Sequence, residues 1–234
     1  MKKIILILAL LSIVSSAFAD FYNLNTLTSL PKKEAEKQFE EFAKLLGTSL
    51  NAGLGDPMNI GFVKVGLEGV FIPFKKEGIL SHAPIGVLPA PYLYGGVSIF
   101  GITPFARITL LPLKTNGKYP YVFAFGLGYE VDFTPLITIM PSLVYQKSAN
   151  FDKLGLYSFS GHVQGRLNLA VITPYVNLGV SHNKFTTDIN VGGSDFSYAK
   201  TFFHSAVGLK ILFFFAEVGF TPKMSYSLGA SIGF

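Results

Sequence analysis

From residue 59 to the last residue, Phe234, the apolar residues of this chain fall on every second position in one block after another. In "LYSFSGHVQGRLNL", Ser158, Ser160, His162, Gln164, Arg166 and Asn168 share one face, while Tyr157, Phe159, Val163, Leu167 and Leu169 share the other. In "YPYVFAFGLGYEVDF", Tyr121, Phe123, Phe125, Leu127, Tyr129 and Val131 oppose Ala124, Gly126, Gly128, Glu130 and Asp132. "TPYVNLGV" sets Tyr175, Asn177 and Gly179 against Val176, Leu178 and Val180. Side chains alternate faces only in a β-strand. The runs of about ten residues or more exceed an ordinary soluble strand. The alternation also continues to the stop, in "SLGASIGF", where chain ends usually fray.

Composition says what one face must meet. Charged residues make up 14% of the chain and apolar residues 50%, with 23 phenylalanines. Such a chain has too little polar surface for an ordinary soluble domain. Yet past the N-terminus there is no run of about 18 apolar residues that could cross a membrane as a helix. Apolar residues that are abundant but dispersed fit an antiparallel transmembrane β-barrel, in which alternate residues meet lipid. A very apolar soluble β-sandwich is the competing reading. The predicted strands are 60–73, 91–101, 104–113, 120–132, 136–147, 155–168, 172–184, 200–211, 213–222 and 225–234. That is an all-β barrel of about ten strands, with eight to twelve open because "GILSHAPIGVLPAP" reads either as a loop or as a strand pair. Thr-Pro at 103–104, 134–135 and 173–174 reads as the short connections. "KTNGKY", "QKSANFDK" and "NKFTTDINVGGSDFSYAK" read as long loops at the other end. The last strand must pair with the first, since an open edge in lipid leaves backbone groups unpaired.

The chain opens on an address. Lys2 and Lys3 precede an apolar run from Ile4 to about Val14, closed by Ala17-Phe18-Ala19. Small residues at Ala17 and Ala19 suit a signal peptidase, so residues 1–19 read as a cleaved signal peptide. Its loss takes the net charge from +5 to +3 (5 − 2). Residues 20–58 form an N-terminal helical segment and 59–234 the barrel. In 32–52, Ala35, Phe39, Phe42, Leu46 and Leu50 recur at steps of three and four, which makes an amphipathic α-helix. It could plug the lumen, lie across the periplasmic mouth or rest on the inner leaflet; covering apolar surface at the barrel base is the favoured reading.

The ending also resembles the C-terminal assembly signal of bacterial outer-membrane β-barrel proteins. Ser227, Gly229, Ala230, Ile232 and Phe234 follow its polar, glycine, apolar, apolar and final aromatic pattern. The resemblance implies a bacterial outer-membrane location and insertion by the outer-membrane assembly machinery. It says nearly nothing of activity.

If the apolar faces meet lipid, Lys64, Glu68, Arg107, Glu130, Asp132, Arg166, Lys210 and Glu217 face the lumen with His162 and His204. Four basic and four acidic residues in a barrel this narrow are expected to pair and fill it. Many inward positions are glycine, which leaves room for a solute, for the helix or for neighbouring aromatics. Tyr121, Tyr129, Tyr145, Tyr157, Tyr226 and Phe234 suit aromatic girdles. Nine lysines against four acids on the loop side give an excess that suits outer-membrane lipid and lipopolysaccharide phosphates. Nucleic acid is not an expected partner, because no exposed basic domain is apparent. The chain has no cysteine, no metal-ligand spacing and no phosphate loop, so neither metal nor cofactor is expected. The best catalytic constellation, Ser181, His182 and Asp188, matches no motif. The leading functional reading is a filled barrel acting through its outer loops. A narrow small-solute channel is the first alternative and a lipid-active enzyme the second.

Overall fold

The structure, a computed structural model, describes residues 22, 24–54, 62–110, 120–151, 153–191 and 194–234. Its strands are β1 (Val63–Pro73), β2 (Val87–Val97), β3 (Ile102–Leu110), β4 in two pieces (Tyr121–Tyr129 and Val131–Asp132), β5 (Ile137–Ala149), β6 (Leu154–Leu167), β7 (Ile172–Val191), β8 (Ser194–Ile211), β9 (Phe214–Phe220) and β10 (Met224–Gly233). The two pieces of β4 pair with β5 in series, Gly128 opposite Ser142 and Val131 opposite Ile139, so they are one interrupted strand. Each strand is antiparallel to its sequence neighbours, and β1 pairs with β10 from Lys64–Gly233 to Phe71–Tyr226. The sheet is therefore a closed barrel of ten strands. Closure holds the chain end: the Phe234 N–H donates to the Val63 carbonyl at 2.8 Å.

Both barrel termini lie at the end where β2–β3, β4–β5, β6–β7 and β8–β9 connect, hereafter the short-turn end. Three expectations about the connections change, the first being that "QKSANFDK" is strand up to Ala149, with β6 starting at Leu154. The turns at 100–101 and 170–171 come before the Thr-Pro pairs, and Thr103-Pro104 and Thr173-Pro174 lie inside β3 and β7. Phe100 (φ 51) and Gly101 (φ 80) take the left-handed turn that suits a two-residue hairpin. Proline is tolerated there because it stands within the first residues of the strand. Only Pro135 of these three marks a turn. At the other end, the expected long loop over 183–200 is instead strand: β7 runs on to Val191, where β8 begins at Ser194. Its alternation survives because Phe185, Ile189 and Phe196 turn inward and are buried. The stretch "GILSHAPIGVLPAP" supplies a short 3₁₀ turn (Gly78–Leu80) and the start of β2, not a strand pair.

Helix α1 (Lys32–Asn51) follows a 3₁₀ turn (Leu24–Ser29) and starts after Pro31. Its predicted apolar face, Ala35, Phe39, Phe42, Leu46 and Leu50, is buried. So is everything around its last two turns: Leu45, Gly47, Thr48, Ser49 and Asn51. A helix buried all round lies in a core, not on a surface. The favoured placement at the barrel base is thus replaced: α1 lies inside the barrel. The run Gly47-Thr48-Ser49 explains the fit, since small side chains slim the helix where a Cβ on Gly47 would stand 3.6 Å from both Asn183 and Phe185. Among the described residues no helix is long and apolar enough to cross a membrane.

Candidate functional site: a stoppered lumen

A helix ends with carbonyls that have no partner in the helix, at the negative end of its dipole. Buried in the lumen without partners those groups would be costly, and the barrel wall meets them. Arg107 on β3 donates through Nη1 to the Ala52 carbonyl at 3.0 Å and through Nη2 to that of Leu50. Gln146 on β5 donates to Leu50 at 3.0 Å, and the Tyr92 hydroxyl on β2 donates to Ser49. The Arg107 guanidinium lies 4.0 Å from the centre of the Tyr92 ring. Gly53 then turns the chain with φ +69, a conformation that favours glycine. Its N–H donates to Glu217 at 3.1 Å, and a Cβ there would stand 1.9 Å from a Glu68 oxygen. Leu54 continues down the lumen, packed against Phe105, Ala124 and Val144.

Midway along the helix, toward the loop end of the barrel, the contacts are wet. Glu41 pairs with Lys44 at 2.8 Å and with Lys223, in the β9–β10 turn, at 3.0 Å. Glu40 reaches Lys44 at 3.1 Å and Lys200 at 3.8 Å. The Lys44 ammonium holds the Glu41 carboxyl below its ordinary value; burial opposes it, and Lys223 adds to the lowering. Glu41 in turn raises Lys44. Phe39 stacks on Phe196 at 6.0 Å, so the helix start leans on the tall β7–β8 hairpin.

Beneath the helix, Lys64, Glu68, Arg107, His162, Arg166, His204, Lys210 and Glu217 are all buried. Arg166 pairs with half-buried Glu130 at 3.1 Å. Lys210 donates to Ser231 at 2.7 Å. The His162 and His204 rings lie 4.2 Å apart, with His162 Nε2 2.9 Å from Ser160 Oγ. Asp132 differs: it stands exposed at the short-turn rim, accepting a bond from Thr138 at 2.7 Å, because the strand breaks just before it. It and Glu130 are therefore not a buried carboxylate pair. The room left by inward glycines is filled by rings from adjacent strands: Tyr94 over Gly66, Phe105 over Gly126, Tyr175 over Gly208 and Phe215 over Gly229.

Sequence reasoning put Arg107 in the lumen but missed its neighbours Tyr92, Gln146 and Phe105. Arg107 carried the signal for Phe105, two residues away on the same face. Tyr92 gave none, since both faces of β2 are apolar. The Ser181, His182 and Asp188 constellation does not assemble. Ser181 is buried inside while His182 is exposed outside, 3.1 Å from Thr201. Asp188 lies six residues further along the strand, about 20 Å. Among the described residues no cluster of three or more His, Asp or Glu could hold a metal. Of the assembly-signal residues, Ser227 points inward and is buried, and Gly229 lies under Phe215; Ile232 and Phe234 point outward and are exposed. Ala230 shares their face, half-buried. Ala17, Ala19, Lys114, Lys118 and Asp152 lie outside the described residues.

The outer wall is apolar from the short-turn tips upward. Phe100, Phe133 and Phe213 are exposed at the tips, and Ile211, Leu209, Val207 and Phe203 follow along β8. Eight residues of tilted strand rise roughly 20 Å, close to the apolar band of a membrane barrel. The band ends at His182, Tyr157 and Lys184, whose ammonium stands 5.7 Å from the Tyr157 ring centre. The chain has the fold of an outer-membrane β-barrel. No protein-family model matches it, and no curated protein does. Solved structures similar to it include the KdgM porin in complex with disordered oligogalacturonate, with a TM-score of 0.40 and 9% identity over 73% of this chain and 99% of that one. The Neisserial surface protein A is similar with a TM-score of 0.36 and 12% identity, over 74% and 96%. A loop-deletion form of OmpT, an outer membrane protein of Vibrio cholerae, gives 0.34 and 12%, over 62% and 53%.

Proposed function

We propose that this protein is an integral outer-membrane barrel of bacteria, closed to diffusion by its own N-terminal segment and acting through its loop-end surface. The observation that carries the reading is the capping of the α1 C-terminus by Arg107, Gln146 and Tyr92. A helix resting loosely in a pore would leave those carbonyls to water. The apolar outer band supports the membrane setting, and the Phe234 ending supports delivery by the outer-membrane assembly machinery. Lysines at the upper edge of the band, Lys147 and Lys184, suit lipid and lipopolysaccharide phosphates.

The test is conductance of the mature protein in planar bilayers, with and without residues 20–57. Silence in the intact protein, with steady conductance after removal of the segment, is the expected result, provided both forms show the heat-dependent gel mobility of a folded barrel. Steady conductance by the intact protein overturns it. A second reading, a small-solute channel gated by the helix, is favoured by one feature: the rim contacts of Glu40 and Glu41 are exposed ion pairs, the kind that opens easily. Spontaneous opening events in the intact protein would select that reading. Lipid enzymology at His182 lacks a triad: its neighbour is the Thr201 hydroxyl at 3.1 Å, and Asp188 lies about 20 Å away. His182→Ala is expected to leave membrane lipid composition unchanged in cells that overproduce the protein.

A further inference from the structure

The direction of α1 has a consequence for where the chain begins. Phe39 stacks on Phe196, two residues from the start of β8 at the loop end. Tyr22 stacks on Phe42 at 5.2 Å, also at that end. Leu54 packs against Phe105, three residues from the start of β3 at the short-turn end. The segment thus runs down the lumen, from the loop mouth toward the end where β1 starts. Every strand of the wall is hydrogen-bonded to two neighbours, including β1 to β10, so a segment inside the ring has no lateral exit.

We infer that the mature protein is threaded through its own barrel and displays its N-terminal end on the outer face of the membrane. The 3₁₀ turn at Leu24–Ser29 and the exposed start of α1 are then part of the cell-surface interface, together with the β7–β8 hairpin they touch. This is the reverse of a periplasmic N-terminal segment. The inference rests on the proposed membrane orientation.

The absence of cysteine in the chain makes the test clean. Three single-cysteine forms of the full chain are needed: Thr28→Cys in the N-terminal segment, Lys76→Cys in the β1–β2 loop and Pro135→Cys at the short-turn end. All three positions are exposed. Intact cells are treated with a membrane-impermeant maleimide, then treated again after permeabilising the outer membrane. Thr28→Cys and Lys76→Cys are expected to label in intact cells to within about twofold of each other. Pro135→Cys is expected to gain at least tenfold on permeabilisation. Protection of Thr28→Cys alongside labelled Lys76→Cys overturns the threading and leaves the barrel orientation standing. Protection of Lys76→Cys with labelling of Pro135→Cys overturns the orientation itself.

Discussion

Replacing Arg107 with alanine removes the strongest tie between the helix and the wall. The side chain makes two hydrogen bonds to helix carbonyls and lies over the Tyr92 ring. Hydrogen bonds to a charged group contribute about 1.5–3 kcal/mol each. Two from one guanidinium are not independent, so about 3 kcal/mol is a conservative loss of docking energy. At 1.4 kcal/mol per decade, the ratio of undocked to docked helix rises roughly a hundredfold. Arg107→Lys keeps the charge but not the fork, so it should fall between the two. The assay is the frequency of opening events in planar bilayers at fixed voltage, with gel mobility confirming the fold. Arg107→Ala is expected to raise that frequency about a hundredfold, and Arg107→Lys by less. An Arg107→Ala protein that stays folded and no more open than the parent would refute the reasoning, because the helix would then be held by something other than its capped C-terminus.

Other consequences follow from the same contacts. Gly53→Ala is expected to act in the same direction as Arg107→Ala, since it strains a φ of +69 and drives a Cβ into the Glu68 carboxylate; opening frequency reads it directly. Glu130→Ala leaves Arg166 buried without this ion-pair partner, so urea unfolding in detergent should show a loss of about 3–5 kcal/mol, much of it restored when Arg166→Met is added. The rim pairs give a pH dependence. Glu41 is held below its ordinary value, so its pairing stabilises docking above an unfolded value of about 4.3 and is lost as pH falls through the lower folded value. Lys44 is raised, so its share is full at neutral pH and is lost only above about 10.4. Opening frequency should therefore be flat from about pH 5 to 10 and rise by no more than a few-fold below pH 4, because exposed pairs are weak. Deleting Phe234 should lower the amount of assembled barrel in cells far more than the yield of barrel refolded in detergent, as judged by gel mobility.

The wall was legible in the sequence, but what fills the lumen was not. Strands with one apolar and one polar face, such as β6 with Ser158, Ser160 and His162 inside, announce both their period and their orientation. Where both faces are apolar, as in β2, period survives but orientation disappears, and Tyr92 and Tyr94 could not be told from lipid-facing residues. Loop boundaries erred for a related reason. The stretch from Asn183 to Lys200 looked like a loop because its outward residues are polar, yet outward residues above the membrane meet water and inward ones meet the helix. Phe185, Ile189 and Phe196 were the strand signal, read against the wrong solvent. The helix itself was found from its apolar stripe. Its place required a second observation, the small residues Gly47, Thr48 and Ser49 at its end, which only make sense when the partner surrounds them.

The lumen polarity and the helix answer one another. A narrow barrel lined by Lys64, Glu68, Arg107, Arg166, Lys210 and Glu217 must pair those charges or fill with water. Lower down, Arg166 pairs with Glu130 and the Lys210 ammonium donates to the Ser231 hydroxyl. Higher up, Arg107 donates to Leu50 and Ala52, and Glu217 accepts from Gly53. The wall groups that would select ions in an open channel are therefore the same ones that hold the helix. Docking and conduction compete for one set of side chains. Any change that strengthens the hold of Arg107 on the helix closes the lumen, and any ligand that draws the helix out must leave behind a charged ring at the level of Arg107, Glu68 and Glu217.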